Sequence, residues 1–399
     1  MLSDAQVKKA LQYPKPPVLW KAEPLLGSIY GEEEIEAAVA AMRESMDTHV
    51  GFGFSASPIP EFEQAFAAHV GAKHAIAINS AGPGLDIAMR FLELKPGDEV
   101  IVPSLNYQAA PLAVVGAGGQ VVWGEVDPRT FQLDPEDVLK KLTPRTRAIF
   151  PVHMNGMSAP MAELIEIGKQ HPHAVYGPIP VIGDAARSCG GGYQGGKIGK
   201  QGLMTVFSFH TMKNMTTLGE GGMITTDDDG VDAFCRSVRM YGSGVNRWGT
   251  SNVMTKVQAA VGLVQLSKLD SFIAARRRLA KTRDAMLAGL PELTTPYEPA
   301  DCEHSYYLYT CLVQPEWAGE KRDRLMQMLG EEFNIGCVVA NPPVYFSRKD
   351  LAAQTAGQST PRSEATAKRI ICISLHPAMT DELNEYIAAA IIDCVRRLR

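Results

Sequence analysis

The segment at residues 205–226, TVFSFHTMKNMTTLGEGGMITT, carries the signal on which the predicted fold and function of this chain depend. Its one lysine, Lys213, lies between two short apolar runs of strand character, and a glycine-rich turn at 219–222 precedes the second run. A lysine on a glycine-bounded loop at the end of a strand can form a Schiff base with a carbonyl. Because most lysines lie on the surface without a chemical role, the interpretation depends on the surrounding sequence.

The composition excludes several classes of protein. Of the 399 residues, 45% are apolar and 21% are charged, as is typical of a globular enzyme with a large core. The formal net charge of -5 provides no basic surface for nucleic acid or an anionic membrane. Apolar runs stay well short of the roughly 20 residues that span a bilayer, and the N-terminal sequence lacks the apolar core of a signal peptide. A cytoplasmic protein is therefore expected.

Cysteines and histidines show no metal-binding or disulfide pattern. The seven cysteines are scattered and contain no CxxC pair, so reduced thiols are expected. The nine histidines include no HExxH motif and no helical i, i+4 pair. A metal centre therefore has no support in the sequence.

Short strand-like runs alternate with helical patterns through the first half of the chain. Strands are predicted at 74–78, 99–102, 121–125, 148–152 and 181–184, with helices at 83–94, 108–116 and 162–170. This alternation favours an α/β fold with a mostly parallel sheet sandwiched by helices. Ligands bind such sheets beyond the carboxyl ends of the strands.

The remaining patterns predict two further parts. Residues 1–50 form an arm and a helix at 32–46, with Ile35, Val39 and Met42 on one face, and an aromatic loop follows at 51–55. A long helix at 256–288 leads into strands at 304–309 and 337–340 and a helix at 321–330, which indicate a smaller α+β domain. The predicted division is therefore an N-terminal arm and helix (1–50), a large domain (51–275) and a small C-terminal domain (276–399).

Four features at predicted strand ends match one cofactor. The turn of Ser80, Ala81 and Gly82 opens a helix, where free N–H groups can bind a phosphate. Tyr107 follows the strand at 99–102 and can stack on a ring, and Asp184 ends a later strand and can pair with a pyridinium nitrogen. With a lysine further along the chain, this is the set that pyridoxal phosphate (PLP) requires.

Six blocks of sequence, in order, carry a resemblance to one protein family, and the resemblance as a whole runs from about residue 51 to residue 379. They are PEFEQAFAAHVGAKHAIAINS (60–80), LKPGDEVIVPSLNYQAA (94–110), AIFPVHMNGM (148–157), VIGDAARSCGGGYQGGKIG (181–199), FSFHTMKNMTTLGEGGMITT (207–226) and MTKVQAAVGLVQLSKLDSFIAARRRLA (254–280). This sequence resembles the DegT/DnrJ/EryC1/StrS family of fold-type-I aminotransferases, which mostly aminate nucleotide-linked keto-sugars and some keto-cyclitols. The resemblance implies a seven-stranded sheet, PLP as cofactor, a small-molecule amino donor and keto acceptor, and a homodimer with shared active sites.

The resemblance also assigns roles to single residues. Lys213 matches the Schiff-base lysine, which argues against a branch of the family that has histidine there and deoxygenates sugars. Asp184 matches the partner of the pyridine nitrogen, Tyr107 the stacking aromatic, and Ser208 a serine that holds the phosphate. Candidate substrate-pocket residues are His210, Tyr306, Tyr345 and His376.

Several positions depart from the family pattern. Ser80, Ala81 and Gly82 replace Ser-Gly-Thr, and Leu218 is an extra residue before the GEGG turn. Glu220, within that turn, is assigned a mainly structural role. Arg187 replaces a glutamine, where it would stabilise the ring oxygen of the cofactor or reach an acid group of the substrate. Asn252 is the candidate for an asparagine that the partner subunit contributes to the phosphate.

Three functional hypotheses follow. The leading one is a PLP-dependent aminotransferase that moves an amino group from glutamate or glutamine to a keto-sugar, keto-cyclitol or related ketone in secondary-metabolite or cell-surface sugar biosynthesis. The second is another PLP reaction on the same scaffold, such as elimination, replacement or carbon–carbon bond formation. The third is a PLP-dependent regulatory protein without turnover, although the sequence contains no DNA-binding segment to support it.

Overall fold

The computed structural model describes residues 1–51 and 56–399, so most of the predicted aromatic loop at 51–55 lies outside the described residues. The helices before residue 255 are α1 (Asp4–Ala10), α2 (Glu32–Glu44), α3 (Ile59–Val70), α4 (Ala81–Phe91), α5 (Ala109–Gly116), α6 (Pro135–Lys141), α7 (Met161–Gln170) and α8 (Asp229–Val238). The strands there are β1 (His74–Ile78), β2 (Glu99–Pro103), β3 (Gln120–Gly124), β4 (Thr146–Ile149), β5 (Ile182–Asp184), β6 (Gly192–Tyr193), β7 (Gly196–Lys197), β8 (Met204–Ser208) and β9 (Gly222–Thr226).

The later helices are α9 (Lys256–Leu287), α10 (Glu320–Phe333), α11 (Val344–Ser347), α12 (Lys349–Gln354), α13 (Pro361–Ala367) and α14 (Asp381–Leu398). The later strands are β10 (Leu293–Thr294), β11 (Cys302–Glu303), β12 (Tyr309–Val313), β13 (Cys337–Val338) and β14 (Ile370–Ile373). Short 3₁₀ turns occur at Met154–Gly156 and Pro315–Trp317. The long helix predicted at 256–288 is present as α9.

The main sheet has the strand order β3-β2-β4-β5-β8-β9-β1. Hydrogen bonding joins β3, β2 and β4 in one group and β5, β8, β9 and β1 in another. The parallel bridges Ile149–Val181 and Val152–Asp184 connect the two groups. Strand β9 is antiparallel to both β8 and β1, whereas the other pairings are parallel. The predicted seven-stranded, mostly parallel sheet is confirmed.

Alternate side chains of the strands enter two separate cores, because successive residues of a strand point to opposite faces. In β1, Ile76 and Ile78 pack in the core beneath α4, α5 and α8. Ala75 and Ala77 lie in the opposite core with Phe62 of α3. Helices therefore cover both faces, as the nearly uninterrupted apolar strands predict.

A second, antiparallel sheet follows α9, with the order β10-β12-β14-β13. Its core includes side chains of α10 and α14, and Val7 and Ala10 of α1 pack there too. The N-terminal helix is thus built into the C-terminal core, which the sequence did not predict. Within the described ranges, no helix is long and apolar enough to cross a membrane.

Candidate active site

A cavity of about 490 Å³ opens at the carboxyl ends of the main-sheet strands. The predicted residues that line it are Ser80, Ala81, Gly82, Tyr107, Asp184, Arg187, Ser208, His210 and Lys213. They lie at the ends of β5 and β8, at the start of α4 and in the loops after β1, β2, β5 and β8, and the parallel strands carry them to one edge of the sheet. The structure therefore brings together most of the site predicted from the sequence.

Lys213 follows β8 and places its amine inside the cavity. Its backbone N–H donates to His210 O (2.8 Å), which holds the loop in a tight turn. Burial, together with the positive charge of Arg187, lowers the pKa of the Lys213 amine to about 7. The amine can therefore lose its proton near neutral pH, and a nucleophilic lysine must be unprotonated to react.

Asp184 ends β5 and is almost fully buried. Its backbone is paired on both sides, since Asp184 N–H donates to Pro151 O (3.0 Å) and His153 N–H donates to Asp184 O (2.9 Å). Ala186 N–H donates to its carboxylate at 3.0 Å. Burial raises the pKa of Asp184, while Ala186 N–H and the nearby Lys213 and Arg187 lower it. A buried carboxylate of this kind gains stability from a cationic partner, which a protonated pyridine nitrogen provides.

The start of α4 forms a cradle for an anion. Ser80 is extended (φ −167°) and its side chain makes no capping bond to the helix. Its hydroxyl donates instead to Glu220 Oε2 (2.9 Å), so the first N–H groups of α4 remain available to a ligand. Across the cradle, a Cβ atom at Gly222 would lie 2.9 Å from Ala81 N, so β9 can approach α4 this closely only with glycine there.

One aromatic side chain and one amide side chain lie beside this cradle. Tyr107 is 57% exposed at the cavity edge, which leaves its ring free to cover a ligand. Its neighbour Asn106 also lines the cavity, and within the described part of the chain both polar atoms of the Asn106 amide are buried without a partner. Sequence reasoning missed Asn106, and its position directly before Tyr107 is the signal that could have found it.

Arg187 is buried against residues from distant parts of the chain. Its Nη2 donates to Asn341 Oδ1 (3.2 Å) and lies 3.8 Å from Glu23 Oε1. Its Nη1 is buried, and no partner for it occurs within residues 1–51 and 56–399. Because a buried cation is costly unless it is paired, this arrangement supports a role toward an anionic group. The two partners predicted for Arg187, the ring oxygen of the cofactor and an acid group of the substrate, are both anionic and stay predictions.

The cavity wall also contains three residues that sequence reasoning missed, Glu23, Tyr307 and Asn341. Tyr307 is adjacent to the predicted Tyr306, and burial raises the pKa of its hydroxyl. Side chains of the N-terminal segment and of the C-terminal part therefore also line the cavity.

Tyr306 lies outside the cavity wall. It is almost fully buried and stacks on His304, with ring centroids 4.2 Å apart. Its carbonyl accepts a hydrogen bond from Arg276 Nη1 (3.1 Å). These contacts give Tyr306 a structural role.

Tyr345 and His376 also lie away from the cavity wall. The Tyr345 hydroxyl donates to Glu364 Oε1 (2.7 Å). His376 Nε2 lies 2.8 Å from Leu26 O, and burial lowers the pKa of its ring to about 4. Both side chains hold segments of the fold together.

Asn252 and Leu218 occupy the loops around the cradle. The Asn252 carbonyl accepts from Asn79 N–H (3.0 Å), which places this segment beside the end of β1. The predicted contribution of Asn252 to the phosphate of a partner subunit stays a prediction. Leu218 adopts a left-handed conformation (φ 60°), and its N–H donates to the Tyr30 hydroxyl (3.0 Å).

The donor set fits PLP. The cradle has unused N–H groups, and the Ser208 hydroxyl can donate to a phosphate. Asp184 suits the ring nitrogen, and Lys213 suits the aldehyde. Among the described residues, no cluster of three or more histidine, cysteine, aspartate or glutamate side chains could hold a metal ion. The fold and the site together are those of a fold-type-I PLP enzyme.

Comparison with known proteins specifies the family. The chain belongs to the DegT/DnrJ/EryC1/StrS aminotransferase family, whose model matches residues 30–392. It is therefore a PLP-dependent aminotransferase.

The chain is similar to several sugar-modifying enzymes. It is 42% identical to GDP-perosamine synthase of Caulobacter vibrioides over 63% of this chain and 68% of the relative. It is 33% identical to dTDP-3-amino-3,4,6-trideoxy-alpha-D-glucose transaminase of Streptomyces venezuelae over 91% of each chain. Among solved structures, DesV of S. venezuelae is 32% identical, with a TM-score of 0.80 over 92% of this chain and 95% of that one.

Proposed function

We propose that this aminotransferase moves an amino group from glutamate or glutamine to the ketone of a sugar or cyclitol. The names of its relatives support a keto-sugar acceptor. The observation that carries the proposal is the convergence of Lys213, Asp184 and the α4 cradle in one cavity. A cytoplasmic location, expected from the sequence, stays part of the proposal.

Each cavity residue has a defined task in this proposal. When bound, PLP supplies an aldehyde that takes up the amino group and a ring that accepts the electrons of the substrate carbanion. Asp184 holds the proton on the ring nitrogen, and Tyr107 covers one ring face. Ser208 and the N-terminus of α4 hold the phosphate. Lys213 moves a proton between the substrate Cα and the former aldehyde carbon of the cofactor, in opposite directions in the two half-reactions.

The proposal includes a homodimer. Helix α2 packs on α9 through one side, while Ile35, Val39 and Met42 on its other side are 55%, 36% and 59% exposed. Their spacing of four and three residues places them on one face of the helix. A second copy of the chain is the occupant that the family resemblance implies for this apolar face.

The test begins with cofactor uptake by Lys213→Ala. We expect the wild-type protein to develop a visible absorbance band with PLP and the variant to lose that band, because the variant lacks the amine. A wild-type protein that takes up no PLP would contradict the proposal. Lys200→Ala, an exposed lysine on a different loop, is the control and should behave like the wild type.

The donor half-reaction separates transamination from the alternative PLP chemistries. Glutamate or glutamine should convert the bound cofactor to its amino form, with loss of the visible band and release of the corresponding keto acid. A keto-sugar should then restore the band. Failure of both donors, together with breakdown of another amino acid, would favour elimination or replacement instead.

A further inference from the structure

Residues 20–30 belong to the segment that connects α1 to α2, and they run along the candidate active site. From here on, the arm means these residues. Gly27 N–H donates to Thr211 O (2.9 Å), and Gly27 O accepts from Arg276 Nη2. At Gly27 a Cβ atom would lie 2.1 Å from Met212 O, so only glycine permits this contact with the lysine loop. The arm is therefore bound to the same loop that carries the reactive lysine.

The arm delivers the carboxylate of Glu23 to the cavity. The Tyr307 hydroxyl donates to Glu23 Oε1 (3.0 Å) and lies 3.4 Å from Lys213 Nζ. A carboxylate can only accept hydrogen bonds, so Tyr307 must give its one proton to Glu23. The oxygen lone pairs of Tyr307 are then left to accept an N–H of Lys213. In the neutral amine, the nitrogen lone pair is consequently directed away from Tyr307.

Glu23 also takes part in the charge balance around the amine. Besides burial, Arg187 lowers the pKa of Lys213, whereas Glu23, Asp184 and Glu220 raise it. Glu23 Oε1 lies 3.8 Å from Arg187 Nη2, so one carboxylate oxygen faces both the arginine and the tyrosine. The arm therefore supplies the counter-charge to the arginine that departs from the family pattern.

We propose that Glu23 is a positioning residue for Lys213, which orients the amine through the Tyr307 hydroxyl and balances the charge of Arg187. The inference rests on the proposed role of Lys213 as the reactive amine. It makes the arm a functional part of the active site, although the arm lies far from Lys213 in sequence.

The first experiment measures the reactivity of Lys213 in full-length protein freed of cofactor. Formaldehyde with borohydride labels neutral amines, and mass spectrometry gives the labelling rate of Lys213 as a function of pH. At about pH 6, Glu23→Gln should label about three- to tenfold faster, because the loss of a negative charge favours the neutral amine. Arg187→Gln should label slower by a similar factor, and the double variant should fall between them.

A second experiment tests whether Glu23 acts through Tyr307. At about pH 9 the amine is largely neutral, so the rate of PLP uptake reports its orientation. We expect Glu23→Gln and Tyr307→Phe each to slow uptake by about threefold or more, and the double variant to be no slower than the worse single variant. Additive effects would overturn the proposed path through the hydroxyl.

Two control variants remove a carboxylate and a tyrosine hydroxyl that lie outside the cavity wall. Glu316→Gln removes an exposed carboxylate, and Tyr309→Phe removes a hydroxyl that donates to Asp284 Oδ1 (2.5 Å) outside the cavity wall. Both should match the wild type in Lys213 labelling. If Glu23→Gln labels with the wild-type pH profile while its melting temperature is unchanged, the inference is wrong. Failure of the wild type to take up PLP would instead contradict the proposed function, since labelling needs no cofactor.

Discussion

The proposed chemistry depends on a single amine, that of Lys213, in an unusual environment. Lysine in water stays protonated far above neutral pH, whereas burial lowers the pKa of Lys213 to about 7. Arg187 contributes to this lowering of the pKa, and the carboxylates of Glu23, Asp184 and Glu220 partly oppose it. The pKa of the amine thus lies near physiological pH. This suits a group that is proposed to act both as a nucleophile and as a carrier of protons.

This environment predicts how cofactor uptake depends on pH. Only the neutral amine attacks the aldehyde, so the uptake rate should rise with pH up to about 7 and level off above it. Below this value the rate should fall by about tenfold for each pH unit, because the protonated fraction grows by that factor. Stopped-flow absorbance with the cofactor-free protein gives this profile. A rate that keeps rising to about pH 10, the range of an ordinary lysine, would contradict the lowered pKa.

Neighbouring residues can have very different positions, as Tyr306 and Tyr307 show. The sequence analysis named Tyr306 as a substrate-pocket candidate, but the structure places Tyr306 away from the cavity wall. Tyr306 adopts a left-handed backbone conformation (φ 48°), so simple alternation along a strand does not hold here. Tyr307 lines the cavity, while Tyr306 is buried beside His304.

At the level of elements, the phosphate cradle depends on the contact between β9 and the start of α4. Strand β9 runs antiparallel between β1 and β8 and begins at Gly222, opposite Ile78 and Ser208. A side chain at this position would meet Ala81 N and Phe207 O at 2.9 and 2.7 Å. The last glycine of the turn after Lys213 therefore allows β9 to lie against the start of α4.

Gly222→Ala should accordingly weaken cofactor binding. The methyl group must displace backbone atoms, so we expect a loss of stability of about 1–3 kcal/mol and a lower affinity for PLP. Thermal unfolding and fluorescence titration with PLP measure the two effects. Gly116→Ala, where a Cβ atom meets nothing within 4 Å, is the control: it should leave the PLP affinity unchanged and should not lower the stability, because alanine favours the helix. Unaltered PLP affinity in Gly222→Ala would contradict this account of the cradle.

Within the part of the chain that the structure describes, helix α2 presents an apolar face that the core does not cover. Ile35, Val39 and Met42 of α2 remain exposed, although their spacing is that of a buried helix face. The proposed homodimer covers this face with a second copy, and the predicted role of Asn252 at the partner's phosphate also requires two copies.

Charged substitutions on this face should separate the copies. We expect Ile35→Glu combined with Met42→Glu to halve the mass observed by sedimentation velocity and to reduce activity, because burying two carboxylates in an interface is costly. Leu139→Glu, which changes another exposed apolar residue on α6, should remain dimeric. A wild-type protein that sediments as a monomer at micromolar concentration would contradict the proposal.

The sequence alone predicted the fold class and the family, and it predicted that Lys213, Asp184, Tyr107 and the start of α4 meet in one site. These features depend on local patterns, because apolar periodicity specifies the elements and parallel strands bring the loops after them to one edge. The presence of Glu23, Tyr307 and Asn341 in the cavity wall follows only from the tertiary structure. The tertiary structure also decided that Tyr345 and His376 hold the fold together instead of lining the pocket. The physical reason is that these contacts join segments far apart in the chain, whose meeting depends on how the arm and the C-terminal part pack.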